Sequence, residues 1–242
     1  MQHPTPDRAP QPTEWHQLLS ATIAVLVKEL RAELRTRYAI NAVLLFAVST
    51  VVVESLVLGP LSQRVNPELP LVHAALLWIA LLFAAFTSLA RVFVQEEEAR
   101  TAAALRLAAH PAAIYLGKLI FNLALLLLLA LVTVPLFTVM LRVQIGNLGL
   151  LTLVVIAGCL GLTSATTLIG AIIARASAKG ALFAVLSFPL LVPLLVVAVQ
   201  GSALALQGGA WAIGLAPLQV LLGYTLALLS ASLFLFPVVW ES

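Results

Sequence analysis

The chain has 242 residues, 62% of them hydrophobic and only 10% charged, with a mean hydropathy of +1.10. Soluble domains carry roughly 25% charged residues, so this composition excludes a soluble enzyme and requires a polytopic chain that resides in lipid. A net charge of +3 spread over so apolar a chain reads as a topology signal, and nucleic acid is not an expected partner.

Residues 1–14 are polar, hold Pro4, Pro6, Pro10 and Pro12, and read as a disordered tail. From Trp15 to Arg37, Leu19, Ile23, Leu26, Leu30 and Leu34 recur at three- and four-residue spacing, with Lys28, Glu29, Arg31, Glu33 and Arg35 mostly on the other faces. That pattern predicts an amphipathic helix lying in the membrane interface. Six apolar stretches follow, at about 38–58, 71–93, 119–141, 148–174, 181–200 and 213–240. Each is long enough for a hydrocarbon core of ~30 Å. The expected fold is therefore all-α: one membrane domain over 15–242, with six transmembrane helices behind an interfacial helix.

The two ends of such a bundle differ in charge. One side collects Arg8, Lys28, Arg31, Arg35, Arg37, Arg91, Arg100, Arg106, Lys118, Arg175 and Lys179, and the other only Arg64 and Arg142. The excess of Lys and Arg places the first side, with both termini, in the cytoplasm. The main polar interruption, Gln95 to Lys118, is then a cytoplasmic loop. It opens with Glu96, Glu97 and Glu98, passes Arg100, and continues as a short helix that Thr101 would cap. The helix carries Leu105, Arg106 and Leu107 and ends at His110-Pro111. Leucines beside an arginine on a short helix suit a groove on a soluble partner. The acidic residues ahead of it disfavour anionic lipid.

Elsewhere the signals for chemistry are sparse. No Gly-rich phosphate loop is present, so energy from ATP has to come through another subunit, and no catalytic or metal-binding set is expected. Glu54 is the one acid well inside a span. It lies near that span's outer end, where it would reach toward water or pair with Arg64. Gly158, Gly161 and Ala165, with Ala157, allow close helix packing in span four. Pro189 and Pro193 would kink span five and are the candidate hinge. Thr163, Ser164, Thr166 and Thr167 are expected mainly to bond back to their own helix. Of four histidines, only His73 stands where it could contact a haem on the far side, and it has no second ligand nearby in sequence.

The ordered set Phe93-x-x-Glu96, Ala104-Leu105-Arg106-Leu107, Pro111-x-x-Ile114-Tyr115-Leu116-Gly117-Lys118-Leu119 with Asn122, Pro135-Leu136-Phe137, Gly158-Cys159-Leu160-Gly161 and Phe188-Pro189-Leu190-Leu191-x-Pro193 resembles the CcmB family. That family is haem exporter protein B of cytochrome c maturation, an ABC-2 type permease. The resemblance spans about residues 18 to 240 and departs at Arg100-Thr101, where family members tend to have a glycine. It implies a non-catalytic permease subunit in the bacterial inner membrane. Its partners would be the ATPase CcmA, with CcmC, CcmD, the haem chaperone CcmE and a second permease copy. ATP would bind the partner, haem would be cargo rather than a bound cofactor, and the work would be haem export or release of loaded CcmE. An ABC-2 exporter of a lipid, glycan or drug, and a non-transporting scaffold, are the alternatives.

Overall fold

The computed structural model describes residues 14–58, 68–88, 93, 96, 101, 105, 107–174 and 179–241. Among them the chain forms seven helices of 20 residues or more and no strand. They are α1 (Glu14–Thr36), α2 (Tyr38–Leu58), α3 (Leu69–Ser88), α4 (Pro111–Met140), α5 (Leu148–Ala174), α6 (Lys179–Leu206) and α7 (Trp211–Glu241). Helices α2 to α7 are each long and apolar enough to cross a membrane, which gives six candidate spans. The end of the bundle that carries α1 and Glu241 is called the near end below, and the end with the turns at 141–147 and 207–210 the far end.

Helix α1 turns sharply into α2. Arg37 takes φ +51°, a left-handed conformation, and the Glu33 carboxylate accepts from the Ile40 amide at 2.8 Å. One otherwise orphaned donor of α2 is thus satisfied by the preceding helix. On α1 the residues Thr22, Val25 and Glu33 are buried, at helical spacing, while Trp15, Leu19, Ile23, Leu30 and Leu34 are exposed. The covered side of α1 therefore mixes Val25 with Thr22 and Glu33, while much of its apolar stripe is left uncovered. Val25 rests on Gly117 of α4, where a Cβ would lie 2.7 Å from Val25 Cβ and 3.0 Å from the Thr22 carbonyl oxygen. Only glycine allows so close a crossing.

Helix α5 sits at the centre, packed on α6 and α7 and also touching α3 and α4. Its small residues make this possible. The Trp78 ring of α3 lies over Gly158, where any Cβ would overlap it, and Trp78 Nε1 donates to Ser202 Oγ of α6 at 2.9 Å. Gly161 faces Leu194 and Thr225, and Ala165 is fully buried. Ser164 and Thr166 bond back to Leu160 and Leu162, whereas Thr167 accepts from Asn122 Nδ2 of α4 at 3.0 Å. At the far end Asn147 ties two turns together. Its Oδ1 caps Leu150 at 3.0 Å, its Nδ2 donates to the Gly209 carbonyl at 3.2 Å, and its amide donates to the Ala205 carbonyl at 2.8 Å.

Some helix bounds differ from the sequence expectation. Helix α3 starts at Leu69, two residues before the expected 71, and residues 89–92, toward its expected end, lie outside the described residues. Helix α6 runs on to Leu206, beyond the expected end at 200. Helix α4 starts at Pro111, eight residues before the expected span. His110 does not only end the short helix before it. Its Nδ1 accepts from the Ala112 amide at 3.2 Å, and Pro111 takes a position where a missing N–H costs nothing. Lys118 consequently lies inside a helix, not in a loop. Glu54 also departs from its expected reach toward water. It falls on the stripe Val43, Ala47, Val51, which is buried in the main core, and its Oε2 has no hydrogen-bond partner. Arg64 lies outside the described residues.

Candidate coupling site at the near end

Three residues from three chain segments, Lys28, Thr101 and Lys118, converge on the Glu96 carboxylate, and Glu29 joins them through the two lysines. Lys118 of α4 is completely buried, and its Nζ lies 2.6 Å from Glu29 Oε1 and 3.2 Å from Glu96 Oε1. Lys28 of α1, which is 45% exposed, also hydrogen-bonds Glu96 Oε1 and lies 3.5 Å from Glu29. The Thr101 hydroxyl donates to Glu96 Oε2, and the Thr101 amide donates to the Glu96 carbonyl at 3.0 Å. The set holds two ammonium groups and two carboxylates, so it is neutral as a whole. A buried lysine is tolerable only in such company, because an isolated charge in this setting would cost several kcal/mol.

The electrostatics follow from these contacts. Burial pushes the Glu96 carboxyl up, but the Lys118 ammonium and the hydrogen bonds from Lys28 and Thr101 outweigh it and hold the group at about 2. Burial alone lowers Lys28, and the Glu96 hydrogen bond with the two nearby carboxylates more than reverses that, so it stays charged. Beneath the charges lies an aromatic floor. Lys118 Nζ stands 5.0 Å over the Phe93 ring, and Phe93 packs against Phe236 and Trp240 of α7 at 5.6 and 5.9 Å. Val25, Ile114, Tyr115, Leu119 and Ala171 complete this second, smaller core.

The short helix of the loop hangs from this assembly. The Thr101 carbonyl accepts from the Leu105 amide at 3.0 Å, and the Leu105 carbonyl from the Ala109 amide at 3.2 Å. The Thr101 hydroxyl is spent on Glu96. The two leucines are not equivalent. Leu105 packs against the aromatic core, while Leu107 is 92% exposed. Residues two apart on a helix lie about 200° apart, so the half-buried Leu105 and the exposed Leu107 point to different sides. Glu97, Glu98, Arg100 and Arg106 lie outside the described residues.

The other candidate positions are dispersed. Gly158, Gly161 and Ala165 lie in the centre of the bundle. Pro189 and Pro193 are inside α6, where the Leu190 carbonyl accepts from the Tyr224 hydroxyl of α7 at 3.0 Å. His73 is buried near the far end with its ring edge-on to Phe137, centroids 6.0 Å apart, and its Nε2 has no hydrogen-bond partner. Among the described residues no three His, Cys, Asp or Glu side chains gather to hold a metal.

Among known protein families, the one described as CcmB protein matches residues 20–240, nearly the whole chain. The chain belongs to the CcmB family. A search of curated protein sequences gives no match. CcmB proteins are membrane transporter components of cytochrome c maturation, generally non-catalytic, and membership implies a place in the Ccm haem-export complex.

The sequence reasoning passed over Lys28, Glu29 and Lys118 as site residues. A signal for them was present. Lys118 is a charge within an otherwise apolar helix, and such a charge demands a partner.

Proposed function

We propose that this CcmB protein is the permease subunit of an ATP-driven complex, set in the bacterial inner membrane with both termini cytoplasmic. A separate ATPase, CcmA, would grip the loop between α3 and α4 and move the bundle. The complex, with CcmC, CcmD and a second permease copy, would export haem or release the haem-loaded chaperone CcmE. The chain would bind no cofactor itself.

The observation that carries this reading is Leu107. It is almost wholly exposed, on a short helix whose first residue is bonded to the buried Glu96–Lys118 pair. An exposed apolar tip on a firmly held base is what a partner's groove can grip and push. The side assignment rests on eleven basic residues against two. The uncovered stripe of α1 suits a lipid interface, which would set the near end at the membrane surface. Haem contact at His73 would need the ring to leave its packing against Phe137.

The test is a haem stain of membrane proteins from cells lacking the gene. The expected result is loss of covalent c-type haem, restored by the wild-type chain and not by Leu107→Asp. Undiminished covalent haem in the deletion strain would overturn the assignment to cytochrome c maturation and leave a permease with another cargo.

A further inference from the structure

The loop between α3 and α4 has a third attachment besides its two covalent ends. Glu96 is joined to α4 through Lys118 and to α1 through Lys28, while Glu29 of α1 binds the same Lys118 at 2.6 Å. Glu96 passes this hold to the short helix through both the hydroxyl and the amide of Thr101. The connection is tight because Gly117 lets α1 lie directly against α4, one residue away from Lys118. No other described ion pair joins α1 to the loop.

We propose that Lys118, with Lys28 and Glu29, is the positioning set of the coupling loop: it fixes Glu96, and through Thr101 it sets where the short helix presents Leu107. Helix α1 is then part of the coupling apparatus. A push on the loop reaches α1 and α4 together, not α4 alone. The chemistry supports a shared role rather than three separate pairs. Lys28, Glu29 and Glu96 sit around the buried Lys118 ammonium, two positive and two negative groups in all, so removing any one charge leaves its neighbours unbalanced. Removing both Glu96 and Lys118 restores neutrality but takes away the hold as well.

The inference rests on the coupling reading above, but its test does not. Spin labels are placed at Ile23, on the exposed face of α1, and at Leu107, in the full chain in lipid nanodiscs. Cys159 is fully buried and is replaced by alanine. The α1-to-loop distance is read by pulsed electron spin resonance for the otherwise wild-type chain, Lys118→Met, Glu96→Gln and the double variant. The expected result is one narrow distance in the parent and at least a twofold broadening in each single variant and in the double, which lacks the Glu96–Lys118 pair altogether. Lys28→Met, at a half-exposed position, and Thr101→Val should broaden the distance without endangering the fold. Unlabelled versions of the same variants are scored for covalent haem formed per ATP hydrolysed by the assembled complex. A drop of about tenfold is expected in the singles and in the double, a tenfold step corresponding to about 1.4 kcal/mol. If the distance stays narrow in Lys118→Met and Lys28→Met, the positioning proposal is wrong whatever the haem yield. If the distance broadens while yield per ATP is unchanged, the set positions the loop but the loop does not couple, and the coupling reading is what fails.

Discussion

Replacing Leu107 alone by aspartate separates docking from folding. Its side chain is 92% exposed, so nearly all of its apolar surface is available to a partner and almost none supports the chain's own core. Burying a leucine side chain is worth about 1.5–3 kcal/mol, and a carboxylate in its place adds an unpaired charge at the interface. The combined loss is about 2–4 kcal/mol, which weakens binding to the ATPase by roughly 30- to 700-fold. The chain's own stability should move by no more than about 0.5 kcal/mol, as for other surface changes. Leu105→Asp is the contrast. Leu105 packs on the Phe93–Tyr115–Trp240 core, so a carboxylate there disrupts the near end and lowers thermal stability as well as binding. The assay is affinity for the purified ATPase, measured on nanodisc-embedded protein, beside a thermal unfolding scan of the same sample. The reasoning is refuted if Leu107→Asp binds within twofold of wild type, or if Leu105→Asp unfolds at the wild-type temperature.

Four further outcomes are expected. Gly158→Ala forces a methyl into the Trp78 ring, which Ser202 holds in place, and should cost about 1–3 kcal/mol in unfolding experiments, with partial recovery when Trp78→Leu is added. Arg37→Gly should raise stability by about 1 kcal/mol, because the left-handed turn at φ +51° strains any side chain but not glycine; an unchanged or lowered melting temperature would contradict this. Acid should release the loop late. The fold holds Glu96 at about 2, below its ordinary 4.5, so it favours the ionised form. That stabilisation is complete above about pH 4.5 and is lost only as pH falls through about 2, so the Ile23–Leu107 distance should be constant down to about pH 4. Tyr224→Phe should remove the hydroxyl bond from α7 to the Leu190 carbonyl and cost about 0.5–1.5 kcal/mol, read as faster hydrogen exchange near Pro189 and Pro193.

The bundle was legible because lipid imposes a simple grammar. Six long apolar runs must be six helices, and small residues in the fourth of them must mark close packing, as Gly158 under Trp78 illustrates. The start of α4 was hidden because Ala112 and Ala113 read as loop next to a histidine and a proline. Only the cap at His110 and the burial of Lys118 reveal that this polar stretch is already helix. The same misplacement concealed the site. While Lys118 belonged to a loop it needed no partner; once inside a helix it needs two, and Glu29 and Glu96 are what the fold supplies. Leu105 and Leu107 could not be told apart by composition. Which of them faces inward depends on the aromatic core built from residues far along the chain, Phe236 and Trp240.

The placement of charge also bears on where motion can occur. The far end is closed by backbone and amide hydrogen bonds around Asn147, which are directional and leave little room for sliding. The near end is held by ion pairs, whose attraction falls off slowly with distance and can be carried through a small displacement. At its centre Lys118 sits over the Phe93 face, within reach of both the Glu29 and the Glu96 carboxylates. On the proposed coupling, a load applied at Leu107 would reach α1 and α4 through Glu96 before it reached the packed centre around Gly158 and Gly161. Stiffness at the far end and in the core, with an ionic joint at the near end, means that displacement of the loop would be delivered to α1 and α4 as tilting rather than dissipated as repacking of α5.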